Sequence, residues 1–249
     1  MLLLIDSGNT YIKWTFVNRD GWQESGRVPV GQSEEFPQHL EKYFEAHSMN
    51  LHDVEQIWVS NVAGAEVAKH ISNIATKSNA ELQFVIPRAE QCGVRNGYSQ
   101  TDQLGSDRWA ALLGAWNLIK RDCLIVNCGT ATTIDVLSAT GEFTGGLILP
   151  GVELMLSSLC ASTDQLMFRQ GNYEPLPTNT ADAMFSGMIQ ASCGAIQRQY
   201  ALLGCDDAPL VLSGGAAGIL QKHITYPVHA VDDLVLQGLL LIAKETGES

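Results

Sequence analysis

Residues 2–17 read LLLIDSGNTYIKWTFV, and residues 123–138 read CLIVNCGTATTIDVLS. Each stretch has an apolar strand, a small polar turn and a second strand. The two stretches align at equivalent positions: Asp6 with Asn127, Gly8 with Gly129, and Thr10 with Ala131. Because the copies stand about half a chain apart, they predict two similar halves, each built on a hairpin of neighbouring antiparallel strands.

Around these hairpins, helical and strand patterns alternate along the chain. They predict helices over residues 33–47, 64–77, 107–120, 151–165, 179–203 and 231–245, and strands over residues 56–60, 81–86, 142–149 and 209–212. The helix over 179–203 is expected to be capped by Asn179 or Thr180. In each half, strands come first and then alternate with helices, which favours a mixed sheet covered by helices. We therefore predict an α/β fold with domains over residues 1–118 and 119–249.

The composition indicates a globular protein and excludes some partners. Hydrophobic residues make up 45% of the 249 residues and charged residues 17%, which is not a disordered composition. The net charge is −12, from 15 basic and 27 acidic residues. Because no basic run is present, we expect no nucleic acid and no membrane among its partners.

The N-terminus and the cysteines indicate a cytoplasmic protein. The opening residues are apolar only up to Ile5 and lack the basic flank of a secretory signal. No apolar stretch is long enough for a membrane-spanning helix. The six cysteines form neither a CxxC pair nor a pattern of paired metal ligands, so we expect reduced thiols.

The first candidate site is the hairpin turn of residues 6–10, followed by Lys13. Gly8 permits a tight turn and close backbone approach to a ligand. Hydroxyl and amide side chains beside exposed N–H groups suit phosphate oxygens, and the Asp6 carboxylate could hold Mg²⁺. Asn and Gly are also common in simple turns, so a purely structural turn is the alternative. The recurrence of the pattern at residues 129–133 favours a pair of hairpins that grip a triphosphate.

The second candidate site is the segment LGSDRW at residues 104–109, where Asp107 and Arg108 begin a helix. Asp107 could simply complement the helix dipole. Alternatively, it could accept the proton of an attacking hydroxyl in phosphoryl transfer, beside an arginine that holds a carboxylate or phosphate. The residues leave both interpretations open.

Two glycine clusters at strand ends are weaker signals: Gly145-Gly146 with Pro150-Gly151, and Ser213-Gly214-Gly215. They could be turns, or places where backbone lies against a nucleotide or substrate. The sequence has no GxxxxGK[ST] loop, HExxH, GxSxG or protein-kinase motif set, which argues against those enzyme classes. The six histidines are scattered, and we expect surface or structural roles for them.

Taken in order, the motifs DSGNTYIK, NGYSQTDQLGSDRW, NCGTATTID, GGLILPG, NTADAMFSG and LSGG resemble those of the type III pantothenate kinases. This similarity spans almost the whole chain. Its most specific part is the NxY segment followed by GxDR. The glycine motifs are shared more widely with the acetate and sugar kinase, Hsp70 and actin superfamily.

The resemblance implies two actin-like (ribonuclease H-like) domains of duplicated topology, with a nucleotide cleft between them. It implies transfer of the ATP γ-phosphate to the primary hydroxyl of pantothenate, which gives 4′-phosphopantothenate in the first step of coenzyme A biosynthesis. It also implies Mg²⁺ with ATP, a monovalent cation (K⁺ or ammonium) and a homodimer.

The same resemblance assigns site residues by motif. The implied ATP-binding residues are Asp6, Ser7, Gly8, Asn9, Thr10, Tyr11, Ile12, Lys13 and Thr130, and Asp6 also organises Mg²⁺. The implied pantothenate-binding residues are Tyr98, Gly105, Ser106, Asp107, Arg108 and Thr180. Asp107 is the implied proton acceptor. Whether Arg108 holds the substrate carboxylate or the transferring phosphoryl group stays open.

One position departs from the family pattern. The second motif usually begins with Asp, which is associated with the monovalent cation, whereas this chain has Asn127. An amide oxygen can ligate K⁺ but adds no charge, so the departure affects the expected cation site. The expected phosphate-binding role of Gly129 and Thr130 is unchanged.

Two rival functions fit part of the sequence. Another small-molecule kinase or phosphatase of the same superfamily would share the phosphate motifs, and the NxY and GxDR segments argue against it. A non-enzymatic accessory factor in transcription is the second rival. The absence of a basic stripe argues against direct DNA binding.

Overall fold

In the computed structural model the chain forms two compact units, and the structure describes residues 1–19, 21–47, 49–162 and 171–247. The first unit contains the chain up to Gly114 together with the segment from Leu234 onward. The second unit is Ala115–Asp233. The sequence-based division at residue 118 lies near the first of these boundaries. The last helix, however, belongs to the first unit, although it comes last in the chain.

The first unit begins with strands β1 (Leu2–Ser7), β2 (Tyr11–Asn18), β3 (Gly21–Trp22), β4 (Gly26–Pro29), β5 (Gln56–Asn61), β6 (Glu81–Phe84), β7 (Glu90–Gln91) and β8 (Val94–Asn96). Its first helices are α1 (Phe36–Ala46), α2 (Ala65–Ser78) and α3 (Ser106–Ile119), and α3 runs on across the unit boundary. The second unit has strands β9 (Cys123–Cys128), β10 (Ala131–Leu137), β11 (Glu142–Pro150), β12 (Leu210–Ser213) and β13 (Val228–Ala230). Its helices are α4 (Val152–Ala161), α5 (Thr180–Tyr200) and α6 (Ala217–Gln221), and α7 (Leu234–Gly247) returns to the first unit.

The sheet of the first unit has the order β3-β2-β1-β5-β6, with β4 also paired to β2. β1 is antiparallel to β2 and parallel to β5, and β5 is parallel to β6. On its outer edge, β2 is antiparallel to both β3 and β4. This unit is therefore a mixed sheet, as the sequence predicts.

The sheet within the second unit repeats this arrangement with the order β13-β12-β9-β10-β11. β9 and β10 form the central antiparallel hairpin, β11 extends it in antiparallel fashion, and β12 and β13 add parallel strands on the other side. The repeated order confirms the predicted α/β class with two mixed sheets.

Side-chain alternation decides which helices cover each face of the first sheet. Leu3 and Ile5 of β1 point to one face, where they join Val67 and Ile71 of α2 in the core, and each of these four side chains is no more than 2% exposed. The opposite face carries Leu4, which is fully buried. There, α7 packs against β1 and β5, and α3 packs against α7.

In the second unit the same alternation points Val126 of β9 and Ile134 of β10 into a core formed with Ile189 of α5. The side chain of Leu220 on α6 is buried in the same cluster. The strand over 142–149 and the helix over 179–203 predicted from sequence are confirmed in position and type.

Several boundaries differ from the sequence-based expectation. The alignment of Thr10 with Ala131 is wrong by one residue, because the Gly8 N–H donates to the Tyr11 carbonyl whereas the Gly129 N–H donates to the Ala131 carbonyl. The first turn is thus one residue longer. The predicted helix over 151–165 is seen as Val152–Ala161, and positions 163–165 lie outside the described residues. Among the described residues, no helix combines the length and apolar character needed to cross a bilayer.

We predict that Gly238→Ala destabilises the first unit. A Cβ at Gly238 would collide with the Ala110 carbonyl of α3, because α7 lies against α3 with almost no space between their backbones. Such overpacking costs about 1–3 kcal/mol, which lowers the melting temperature by several degrees. Thermal unfolding followed by circular dichroism measures this change.

The matched control is Gly194→Ala in the middle of α5, where an added Cβ meets nothing within 4 Å. Alanine is the better helix former by roughly 0.5–1 kcal/mol, so this variant should melt at the same or a slightly higher temperature. Equal effects of the two substitutions would contradict close packing of α3 against α7.

Candidate active site

Four polar side chains form a row across the first sheet. Asp6 of β1 lies opposite Lys13 of β2 and beside Ser60 of β5, and Lys13 lies opposite Arg27 of β4. Residues paired in this way point to the same face of a sheet. The row lies on the face covered by α3 and α7, because the alternate residues, such as Ile5, belong to the core on the other face.

The turn between β1 and β2 is closed by the hydrogen bond from the Gly8 N–H to the Tyr11 carbonyl, at 3.1 Å. Asn9 and Thr10 are exposed at its tip. The Val30 N–H donates to the Thr10 carbonyl at 2.8 Å, which holds the end of β4 beside the turn. These two hydrogen bonds stabilise the turn, while its polar residues Asn9 and Thr10 are exposed to solvent.

Not all of residues 6–13 present their side chains to this face. Ile12 is fully buried in the core beneath α1 and α2, and Ser7 is also fully buried. Contacts from these two residues to a phosphate would therefore come from the backbone. Tyr11 is 40% exposed and lies under the Arg27 guanidinium, whose Cζ is 5.2 Å from the ring centroid.

A hydrogen bond joins the polar row to the first residue of α3. The Ser60 and Ser106 hydroxyls lie 3.0 Å apart, and both side chains are buried. Sequence reasoning missed Ser60. The signal that could have indicated it was a serine directly after the apolar residues IWV, near the end of the buried strand QIWVSN. Through this contact, α3 begins beside Asp6.

Asp107 lies in the first turn of α3, where its Oδ1 accepts a hydrogen bond from the Arg108 backbone N–H at 2.8 Å. The preceding glycine leaves room for this carboxylate, because a Cβ at Gly105 would come within 2.5 Å of Asp107 Oδ1. The side chain is half-buried and belongs to the same unit as the turn between β1 and β2.

Arg108 is only 5% exposed, and its guanidinium donates to the Tyr98 hydroxyl at 2.9 Å. Its Cζ also lies 5.6 Å from the Tyr98 ring centroid. The Tyr98 backbone N–H is held by the Asn96 side chain at 3.1 Å. The structure therefore brings the NxY and GxDR segments together. A buried guanidinium with a planar array of donors suits a carboxylate or phosphate ligand.

In the second unit, Asn127 occupies the position in the register that Asp6 occupies in the first. Asn127 lies beside Ser213 of β12 and opposite Thr133 of β10, just as Asp6 lies beside Ser60. The amide and the two hydroxyls share one face of the sheet. No group of three or more His, Cys, Asp and Glu side chains that could hold a metal occurs in the described part of the chain.

Thr130 is exposed at the tip of the second hairpin. Its carbonyl accepts a hydrogen bond from the Gly151 N–H at 2.8 Å. Position 151 must be small, because a Cβ there would meet the Gly129 carbonyl and would lie 2.8 Å from the Thr130 carbonyl. The GGLILPG segment therefore supports the hairpin through close backbone contact.

Thr180 is the first residue of α5 and is exposed. The Asn179 side chain caps the helix by accepting from the Asp182 N–H at 3.0 Å. The Asp182 carboxylate in turn accepts from the Asn172 N–H at 2.7 Å and from the Asn179 amide. These hydrogen bonds lower the pKa of Asp182 below its usual value. The segment before α5 is thereby tied to the helix that presents Thr180.

Thr180 also lines an apolar groove of about 1090 Å³ between α4 and α5. Leu154, Leu159, Met184 and Met188 form much of its wall. Leu154 and Leu159 are 44% and 43% exposed, so α4 presents apolar surface outward as well as inward. Sequence reasoning missed this surface, although VELMLSSL is apolar on more than one helical face.

No disulfide joins the six cysteines, all of which lie among the described residues. Burial raises the pKa of the Cys123 and Cys128 thiols to about 12. Neither is a thiolate near neutral pH. His47 interacts with the Tyr43 carbonyl, and His223 stacks on Tyr173, which are local contacts.

Comparison with known proteins adds an independent finding. The model of the type III pantothenate kinase family matches residues 2–202. A type III pantothenate kinase from Nitrosospira multiformis is 42% identical over 252 residues, covering 100% of this chain and 93% of that protein.

Two solved structures share the fold. A proposed Baf family transcriptional activator from Campylobacter jejuni has a TM-score of 0.62 at 23% identity, covering 99% of this chain and 100% of its own. A proposed 2-dehydro-3-deoxygalactonokinase from Sinorhizobium meliloti has a TM-score of 0.61 at 17% identity, covering 98% of this chain and 96% of its own. At these identities the likeness concerns the actin-like α/β fold alone.

The family match settles the class of enzyme. It covers most of the chain, it includes the Tyr98 and Arg108 segments that the structure brings together, and the full-length relative carries the same activity in its name. The protein is an ATP-dependent phosphotransferase that uses pantothenate and a divalent metal. On this evidence the chain belongs to the type III pantothenate kinase family.

Proposed function

We propose that the residues gathered on the α3 face of the first sheet carry out pantothenate phosphorylation. For Thr130 the proposal is a contact to ATP, and for Thr180 a contact to pantothenate. The observation that carries the proposal is the Ser60–Ser106 hydrogen bond of 3.0 Å. It holds the start of α3, with Asp107 and Arg108, beside β5, whose Ser60 is the neighbour of Asp6 in β1. The proposed phosphate-binding turn and the candidate base therefore lie in the same unit.

The direct test is an assay with purified protein, ATP, Mg²⁺, K⁺ and pantothenate, in which mass spectrometry detects 4′-phosphopantothenate and ADP. A panel of sugars tests the rival function as another kinase of the superfamily. Turnover of a sugar without turnover of pantothenate would overturn the assignment. A DNA mobility shift without ATP turnover would instead favour the accessory-factor alternative, which the family match does not favour.

Asp6 is the proposed Mg²⁺ residue. A carboxylate near the end of a strand, beside a turn whose Asn9 and Thr10 are exposed, suits a hard cation bound with phosphates. Magnesium, when bound, neutralises charge on the phosphate chain. Asn9 and Thr10 would position the phosphates, Gly8 would permit the tight turn, and Lys13 would add a positive charge beside Asp6.

Asp107 is the proposed general base. Its carboxylate would accept the proton of the pantothenate primary hydroxyl as that oxygen attacks the γ-phosphorus and ADP leaves. Arg108 and Tyr98 would orient the substrate, and the buried Arg108 guanidinium suits its carboxylate. In phosphoryl transfer, positioning and charge stabilisation supply most of the rate.

We predict that Asp107→Asn lowers kcat by about 10²- to 10⁴-fold, because asparagine keeps the shape of the side chain but cannot accept a proton. The KM for pantothenate should change little. Steady-state kinetics with each substrate varied in turn measure both quantities. If only the pantothenate KM rises, Asp107 is a binding residue and the base lies elsewhere.

A monovalent cation, K⁺ or ammonium, is proposed at Asn127. The Asn127 amide and the Thr133 and Ser213 hydroxyls supply oxygen atoms on one face of the second sheet. These groups are neutral, and ligand charge is a main determinant of the affinity of oxygen sites for hard cations. The site should therefore bind K⁺ less tightly than one built on a carboxylate.

Asn127→Asp is expected to reach saturation at a lower K⁺ concentration than the natural protein. The added carboxylate supplies the charge that the amide lacks. Activity titrated with KCl, with ionic strength held constant by a large organic cation, gives the half-saturating concentration for each protein. Superimposable titration curves would show that residue 127 does not set the cation affinity.

A homodimer is proposed through the groove between α4 and α5. The groove exposes Leu154 and Leu159, and a contiguous exposed apolar surface commonly marks a protein interface. A two-fold arrangement would let this surface cover its equivalent in a second copy. The expected reduced thiols also lead us to propose a cytoplasmic location.

We predict that Leu154→Glu converts the dimer to monomers, because each interface would then bury two uncompensated charges. Sedimentation velocity at several concentrations measures the mass. The matched control is Leu202→Glu, since Leu202 is 71% exposed and does not line the groove. A dimer retained in the Leu154 variant, or lost in both variants, would exclude the groove as the interface.

A further inference from the structure

We propose that Arg27 of β4 is a further phosphate-binding residue, which acts with Lys13 as a two-cation clamp on the phosphate chain of ATP. No motif in the sequence points to Arg27, and only strand pairing places it at the site. The inference rests on the proposed binding of ATP phosphates by residues 6–13. It extends that set across the sheet to a third strand.

Strand register carries the first step of the argument. Lys13 lies opposite Asp6 on one side and opposite Arg27 on the other, so the three side chains form one row on one face. The residues next to Arg27 and Lys13 confirm the register, because Val28 and Ile12 pair with each other and are both buried in the core on the other face. Arg27 therefore shares the face of Asp6.

Two contacts hold Arg27 near the turn. Its guanidinium lies over the Tyr11 ring, with Cζ 5.2 Å from the centroid, and Tyr11 is the last residue of the turn that Gly8 closes. The Val30 N–H bond to the Thr10 carbonyl ties β4 to the tip of the same turn. The guanidinium remains exposed, so it can reach a ligand bound at the turn.

The charge pattern indicates an anionic ligand. Like charges directly opposite each other in adjacent strands are destabilising, and the Lys13–Arg27 pair is such an arrangement. Asp6 offsets only one of the two positive charges. A bound polyphosphate would offset the excess, and a guanidinium can donate two parallel hydrogen bonds to phosphate oxygens. The row is therefore more favourable with a nucleotide bound than without one.

The test compares Arg27→Gln and Arg27→Lys with the matched control Arg19→Gln. Arg19 is an exposed arginine just beyond the other end of β2. Isothermal titration calorimetry with ATP and with adenosine separates phosphate contacts from contacts to the nucleoside. Steady-state kinetics add the KM for ATP and for pantothenate, and thermal unfolding checks that each variant is folded.

Arg27→Gln should weaken ATP binding by about 10-fold or more, which is the usual size of a lost charge-assisted hydrogen bond. Adenosine binding and the pantothenate KM should be unchanged. Arg27→Lys should give an intermediate ATP affinity, because it keeps the charge and loses the planar pair of donors. Arg19→Gln should behave like the natural protein.

Unchanged ATP affinity in both Arg27 variants would overturn the inference, and so would equal losses for ATP and adenosine. Asp6→Asn, measured alongside, distinguishes this failure from failure of the proposed function. If Asp6→Asn weakens ATP use and Arg27→Gln does not, only the role of Arg27 is wrong. If neither weakens it, the hairpin of residues 6–13 does not bind the phosphates.

Discussion

The register of β1 against its two neighbours is the constraint on which the candidate site depends. Leu3 and Ile5 must enter the core beneath α1 and α2, so Leu4 and Asp6 must face α3 and α7. Because side chains alternate along a strand, a slip of one residue would bury Asp6 and expose the core. The free energy of apolar burial thereby sets the direction of a charged side chain. The pairing of Asp6 with Lys13, and of Lys13 with Arg27, follows from the same register.

The position of α3 is the second requirement, and it depends on close packing between backbones. Gly114 of α3 and Gly238 of α7 each lie so near the other helix that a Cβ would meet its backbone, at 2.8 Å from the Leu234 carbonyl in the case of Gly114. Because these positions are glycine, α3 and α7 pack closely together, and Ser106 at the start of α3 can hydrogen-bond with Ser60 of the sheet. The helix start that carries Asp107 is thus located by contacts about one and two turns away from it, at Ala110 and Gly114.

The two units share a strand order but differ in the chemistry of equivalent positions. Asp6 and Asn127 both lie beside a serine on the parallel neighbour, yet one carries a charge and the other does not. The fold alone does not distinguish this protein from other actin-like proteins, since solved structures at 23% and 17% identity share it. The pairing of Tyr98 with the buried Arg108 lies within the segment that the family model covers.

The sequence alone was sufficient for the α/β class, the two hairpins and the family, whereas the roles of the motif residues from Asp6 to Thr180 stay predictions. These features are encoded locally, because strand alternation, turn glycines and helix caps each depend on a few neighbouring residues. Tertiary structure decided the rest: the return of α7 to the first unit, the burial of Ser7 and Ile12, the link from Ser60 to α3 and the placement of Arg27 beside Lys13. Each of these joins residues that are distant in sequence or depends on which face of a sheet is covered. Packing of whole elements determines such relations, and no local pattern records them.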